Sequence, residues 1–368
     1  MRAAAAPALA RRSAPAKLNL TLAIVGRRED GCHALHSVMA TLALSDTVAL
    51  AAAPGPGDTL RISGLPLAAT PDNLVLRALA ATRAAVRAGA SATGASAAGA
   101  PDAAPPLAAR LTKRIPVAAG LGGGSSDAAA TIAAALEAWG AALPEEAAAA
   151  LAASLGSDVP FFFAGGVALV TGRGEFVEPL PAIRGAAPAV LLVTPRLPVS
   201  TAAVYAAYAG GARPAIPAKA TSERLAADLR AGLTAAALLE SAEELAAAND
   251  LLPAALSVAP QLAGFYAALG RILSRPVGQS GSGPTAWVLY PSPAAARRAA
   301  ALVRLGIGDG RVPPIGEGAP LVVATALRGT APAAFTAPVP PPRIASSADA
   351  PAATMRGPGR HNDPHIES

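Results

Sequence analysis

Cysteine is nearly absent from this chain of 368 residues: Cys32 stands alone, which excludes an intrachain disulfide and points to a reducing, cytoplasmic setting. Aromatic side chains make up only 3%, so the 52% hydrophobic content and the mean hydropathy of +0.41 reflect alanine rather than bulky apolar residues. Long apolar runs are lacking too. The longest uncharged one, Val159 to Gly172, contains glycines and falls short of the roughly 18 residues of a spanning helix, so no membrane association is expected. Met1 to Ala10 has one arginine and a short alanine stretch, too weak for a secretory signal, and residues 1–12 read as a disordered extension. His33, His36, His361 and His365 flank no thiol pair, so no zinc site is expected. The net charge of +6 comes from scattered arginines without a basic stripe or interleaved aromatics, which argues against nucleic acid as a partner.

Two polar residue types are scarce in an informative way. The only lysines are Lys17, Lys113 and Lys219, and asparagine is confined to Asn19, Asn73, Asn249 and Asn362. In a composition rich in alanine, arginine, glycine and proline, a surface position that accepts arginine will carry it. A surviving lysine or asparagine therefore marks a specific geometric need, and Lys17, Asn19 and Lys113 all lie beside motifs.

The strongest motif is Ile115-Pro116-Val117-Ala118-Ala119-Gly120-Leu121-Gly122-Gly123-Gly124-Ser125-Ser126-Asp127. Leu107 to Arg114 alternates like a half-buried strand, and Ile132, Leu136 and Trp139 fall at helical spacing, so the glycines sit at a helix N-terminus. First-turn amides have no intrahelical partner and carry the positive end of the helix dipole, which suits phosphate; Ser125 and Ser126 can cap the helix or offer hydroxyls. An ordinary Gly/Ser turn capping a helix is the plainer alternative. No Gly-Lys-Ser/Thr occurs, which excludes a P-loop, and Ser125 stands where a dinucleotide fingerprint needs its third glycine.

Other segments offer chemistry with equally plain alternatives. Lys17, Asn19 and Thr21 share one face of a strand, either gripping phosphate and hydroxyl or forming a solvated edge. Asn73 caps the helix that follows or contacts a ligand. Lys113 is a solvated strand-end charge or a binding residue. In Gly156-Ser157-Asp158-Val159-Pro160, Asp158 is a turn residue or an acid at the edge of a desolvated region. Thr171-Gly172-Arg173-Gly174-Glu175 forms the turn of a hairpin, and Tyr205 packs in a core or faces a ligand. Gly278 to Thr285 is a second glycine-rich loop ahead of a strand. Residues 89–106 read as a mobile insertion, and the Pro/Ala/Ser-rich segment from Gly329 as a disordered tail.

The proline-led glycine stretch resembles the phosphate loop of the GHMP small-molecule kinases. Pro15-Ala16-Lys17-Leu18-Asn19-Leu20, Arg28-Glu29-Asp30-Gly31-Cys32-His33, the triple-glycine loop, Gly156-Ser157-Asp158-Val159-Pro160 and Asn249-Asp250-Leu251 are similar, in order, to the branch acting on a cytidine-diphosphate-linked methylerythritol. The resemblance covers roughly residues 13–328. It implies an α+β fold in two domains, a ribosomal-protein-S5-domain-2-like domain over 13–182 and a ferredoxin-like domain over 183–328, with the site between them. It implies transfer of the γ-phosphoryl of ATP, with Mg2+, to a substrate hydroxyl. Asp158 and Lys17 would be catalytic. ATP would be bound by Pro116, Val117, Ala118, Ala119, Gly120, Leu121, Gly122, Gly123, Gly124, Ser125 and Ser126, with Lys113 and Asn73 near the adenosine. Asn19, His33, Thr201 and Tyr205 would hold the small-molecule substrate, in a monomer or homodimer. Asn249 would be structural. Asp127 either points away from the phosphates or meets the magnesium. At position 32 similar enzymes carry a tyrosine against the cytosine, where this chain has Cys32.

Overall fold

The computed structural model describes residues 9–29, 31–92 and 104–328. The tail from Gly329 and most of the expected insertion lie outside them. The N-terminal half runs β1 (Ala10–Asn19), β2 (Ala23–Arg27), β3 (His33–Ala52), β4 (Thr59–Gly64), α1 (Leu74–Ala92), β5 (Leu107–Lys113), α2 (Gly123–Trp139), α3 (Glu145–Leu155), α4 (Val159–Ala164), β6 (Val167–Gly172) and β7 (Phe176–Leu180). The C-terminal half follows as β8 (Ala189–Thr194), α5 (Thr201–Ala209), α6 (Lys219–Ala231), α7 (Ala235–Glu240), α8 (Ala242–Ala247), α9 (Leu252–Val258), α10 (Gln261–Leu273), β9 (Gly278–Gln279), β10 (Ala286–Tyr290), α11 (Pro293–Gly308) and β11 (Leu321–Arg328). The class is α+β, as expected.

β3 is the spine of the molecule. Its 20 residues pair antiparallel with β2 and β6 at one end and β5 at the other, and with β1 along most of its length. β11 pairs with β8 over Leu321 to Ala326 and then touches β3 through Leu327 and Arg328, so the strands of both halves join in one sheet ordered β4-β5-β3-β11-β8-β10-β9. Only β4 and β5 run parallel within that order, and α1 makes the return that a parallel pair requires.

Alanine content explains the close helix packing. The buried face of α2 is Ala128, Ala129, Ala130, Ala134 and Ala135 with Ile132, short side chains that let the helix approach β1 and β3. One core lies under α1 and α2 around Leu79, Leu111, Phe161 and Phe162, and a second, around Leu18, Leu42, Leu192 and Trp287, draws residues from both halves. A third fills the C-terminal half around Phe265, Leu269, Val288 and Val303.

The N-terminal boundary needs correcting. β1 starts at Ala10, inside the segment expected to be disordered: Ala10 is buried opposite Leu50, and Arg12 pairs with Glu137 of α2. Pairing with β3, invisible in so polar a stretch, orders it.

Trp287 is 1% exposed in the core shared by the two halves. Trp287→Ala is expected to cost about 3–5 kcal/mol, read as a lowered urea midpoint with an unchanged slope.

Candidate active site

A cavity of about 530 Å³ opens between the halves, within the usual range for a small-molecule site. Its floor is the loop from Pro116 to Gly122 and the first turn of α2. The left-handed conformations of Gly120 (φ 78) and Gly122 (φ 66) curl this loop, and Ala118 adopts φ 53 despite its Cβ. A Cβ at Gly120 would lie 2.0 Å from the Ser280 carbonyl oxygen, and one at Gly122 would lie 2.8 Å from Cγ of Lys17. Glycine is required at both by backbone conformation and by crowding.

The helix is not capped by serine. Gly122 occupies the N-cap position without a side-chain cap, and the first intrahelical bond runs from the Ser126 amide to the Gly122 carbonyl. The amides of Gly123, Gly124 and Ser125 meet no acceptor among the described residues, and they face the end of the helix where the dipole is positive. Ser125 lines the cavity, whereas the hydroxyl of Ser126 is buried without a partner. This cradle fits the phosphates of a nucleotide.

Lys17 reaches the cavity through an irregularity in β1. The β1–β3 register shifts between Pro15 and Lys17, and the Lys17 amide leaves the ladder to donate to the Leu121 carbonyl at 2.9 Å. Strand and phosphate loop are thereby joined. The face carrying Lys17, Asn19 and Thr21 is buried, which removes the solvated-edge reading. Lys17 Nζ donates to Asn19 Oδ1, Asn19 Nδ2 to Ser37 Oγ at 2.9 Å, and Ser37 Oγ to the Thr21 carbonyl at 2.5 Å. Asp158, at the N-cap of α4 but making no side-chain cap, lies with Oδ2 3.7 Å from Lys17 Nζ.

Lys113 and Asp127 answer the questions left open above. Lys113 is 3% exposed; Nζ donates to Asp46 and, at 2.7 Å, to Asp127 Oδ2. Asp46 also accepts the amides of Arg114 and Ile115. Lys113 and Asp127 both border the cavity, but Asp127 Oδ2 is taken by Lys113 and Oδ1 is buried without a partner, and Lys113 is an internal ion-pair residue rather than a solvated charge. Burial opposes the Lys113 ammonium, but the Asp127 and Asp46 carboxylates hold it above its ordinary value. Burial pushes the Asp127 carboxyl up to about 7, with Asp46 adding to the effect and Lys113 opposing it.

The opposite wall comes from the second half. Ser280 Oγ donates to the Gly120 carbonyl at 2.9 Å, and a Cβ at Gly283 would lie 2.2 Å from the Gly120 amide nitrogen, so the second glycine loop packs directly on the first. Asn249 holds that loop through Nδ2, which donates to the carbonyls of Gln279 and Gly281. Asp250 accepts the amides of Ile24 and Ala218. Thr201 exchanges a hydrogen bond with Ser282 at 2.9 Å, and Tyr205 is half-buried in the wall. Burial, with the Asp158 charge, raises the Tyr205 hydroxyl pKa, so the phenol stays protonated.

His33 is not among the cavity-lining residues but packs against Tyr205, the rings tilted by 35° with centroids 5.3 Å apart, and meets Tyr208 edge-on at 5.6 Å. Burial, then Arg27 and Arg213, lowers its pKa and keeps the imidazole neutral. Cys32 is exposed beside it. Asn73 lines the cavity and also caps α1, its Oδ1 accepting the Val75 amide at 3.0 Å. Arg173, noted above only as a turn residue, also borders the cavity; its place between two glycines marked a tight turn, but only the fold brings that turn against the Asp158 segment.

Comparison with known proteins gives this arrangement a family. Residues 73–166 match the GHMP kinases N terminal domain. The chain is 39% identical over 297 residues to the 4-diphosphocytidyl-2-C-methyl-D-erythritol kinase of Paramagnetospirillum magneticum, covering 78% of this chain and 91% of that protein. The chain belongs to the 4-diphosphocytidyl-2-C-methyl-D-erythritol kinase family. A Methylorubrum extorquens relative of the same name is 41% identical over 306 residues, covering 79% of this chain and 93% of that protein. A crystal structure of a 4-(cytidine 5'-diphospho)-2C-methyl-D-erythritol kinase superposes with TM-score 0.60 at 30% identity, covering 86% of this chain and 99% of that one. A homoserine kinase from Cytophaga hutchinsonii shares the fold alone, with TM-score 0.58 at 18% identity over 88% of this chain and 96% of that one. The expected two-domain GHMP kinase fold is therefore the fold of this family.

The raised Asp127 pKa has a sign. A carboxyl whose folded pKa exceeds the unfolded 3.8 contributes stability that is complete below 3.8 and lost as pH rises towards about 7. The melting temperature of the wild type, relative to that of Asp127→Asn, is expected to fall between pH 5 and pH 8 in thermal scans.

Proposed function

We propose that the protein transfers the γ-phosphoryl group of ATP to the 2-hydroxyl of 4-diphosphocytidyl-2-C-methyl-D-erythritol, giving the 2-phosphate and ADP. The observation that carries this reading is the Lys17–Asp158 pair, 3.7 Å apart, in the same cavity as the unpartnered amides of α2. The substrate O2 forms the new bond to phosphorus while the bond to the bridging oxygen of ADP breaks. Asp158 receives the O2 proton, and Lys17 stabilises the charge that develops on O2. The amides of Gly123, Gly124 and Ser125 bind phosphate oxygens, fixed in advance by the Leu121–Lys17 and Gly120–Ser280 bonds, so little reorganisation is needed.

Magnesium, when bound, neutralises charge on the transferring phosphates. Ser125 is the hydroxyl that borders the cavity at the phosphate cradle. On the acceptor side Asn19 and Thr201 offer polar groups to the polyol, while Tyr205 and neutral His33 form an aromatic wall for the cytosine. Lys113 and Asn73 act through the loop and α1 rather than through a free charge. The lone exposed cysteine suits a cytoplasmic enzyme.

ADP release measured with the cytidine substrate, mevalonate and homoserine in parallel tests the assignment; turnover with another alcohol alone would overturn it. Asp158→Asn should lower kcat by about 10²- to 10⁴-fold with ADP affinity intact, and Lys17→Ala should behave alike. Near wild-type turnover by purified Asp158→Asn would remove the base from the mechanism.

A further inference from the structure

Among the described residues three cations border the cavity, and two are committed. Lys113 is held by Asp46 and Asp127, and Lys17 by Asn19 and Asp158. The third, Arg173, has an exposed guanidinium that makes no hydrogen bond or ion pair among the described residues. Its backbone, by contrast, is held firmly. The Arg173 amide donates to Glu175 Oε2 at 2.6 Å, and Glu175 Oε1 lies 3.2 Å from Arg28 Nη1. The Gly174 amide closes the turn onto the Thr171 carbonyl, and a Cβ at Gly174 would lie 2.6 Å from the carbonyl oxygen of Ser157, the residue before Asp158. The β6–β7 turn is therefore pinned against the Asp158 segment, with a charged side chain left over at the cavity.

We propose that Arg173 is a phosphate-binding residue of this site, engaging phosphoryl oxygens on the acceptor side: either the group in transfer or the diphosphate of the acceptor substrate. Guanidinium matches phosphate in geometry and charge, and a charge-assisted pair inside a cleft is stronger than one on an open surface. Because Glu175 is engaged by Arg28 and by the Arg173 amide, the turn lends no countercharge to the guanidinium. The inference rests on the reading of the cavity as a kinase site.

The test uses the whole chain with Arg173→Met, a substitution at an exposed position that spares the core, and with Arg297→Met on α11 as a control for net charge. CDP and ADP are titrated into each protein, and turnover is measured with saturating ATP. Loss of CDP affinity by tenfold or more with ADP affinity unchanged assigns Arg173 to the acceptor diphosphate. A tenfold or greater fall in kcat with both affinities unchanged assigns it to the group in transfer. Arg173→Lys should recover part of either loss, and Arg297→Met should show neither. CDP affinity and kcat both within twofold of wild type in Arg173→Met would overturn the proposal. Should the wild type fail to turn over the cytidine substrate, the kinase reading fails, while the CDP titration still reports on Arg173.

Discussion

Three buried charges set the geometry on which the site depends. Lys113 ends β5, Asp46 lies on β3 and Asp127 is in the first turns of α2, so one ammonium ties two strands and a helix together where the phosphate loop leaves and returns. Such clusters are expensive in desolvation, and removing one partner leaves an uncompensated charge worth about 3–5 kcal/mol. What this arrangement secures is position: the chain from Arg114 to Ser126 is closed at its base, so Gly123 to Ser125 line the cavity with their amides unpartnered among the described residues.

The tip of the same loop is fixed by different means. Lys17 and Ser280 hold it from opposite halves of the chain, through Leu121 and Gly120. Asn249 supports the second glycine loop, and Asp250 bridges to the segment after β1, so the two halves are locked around the cavity by side chain to backbone bonds. β11 adds a hydrogen-bonded tie when it passes from β8 to β3. Asp158 and Lys17 thus meet across a frame with few free torsions.

Much of this was legible in the chain itself. The glycine loop, the strand before it and the helix after it followed from periodicity and the exclusion of other phosphate motifs. The scarcity of lysine singled out Lys17 and Lys113 before their partners were known. The resemblance supplied Asp158, whose sequence context alone reads as a turn. Less legible were the start of β1, the serine that does not cap α2 and Arg173. In each, the deciding partner lies far along the chain: Leu50 for Ala10, Ser157 for Gly174, and the Lys17 and Ser280 contacts that shape the loop before α2.

Local sequence determined what depends on neighbours in the chain: where backbone can enter the left-handed region at Gly120 and Gly122, which helix faces are narrow enough in alanine to pack closely, and which segments alternate as strands. Only the tertiary structure decided the state of each charge. Lys113 and Asp127 are 14 residues apart, but Asp46 is 67 residues from Lys113, and burial by β3, β5 and α2 together turns a strand-end lysine into an internal clamp. Conformational preference is short-ranged, whereas desolvation and ion pairing are set by whatever the fold brings within a few ångströms.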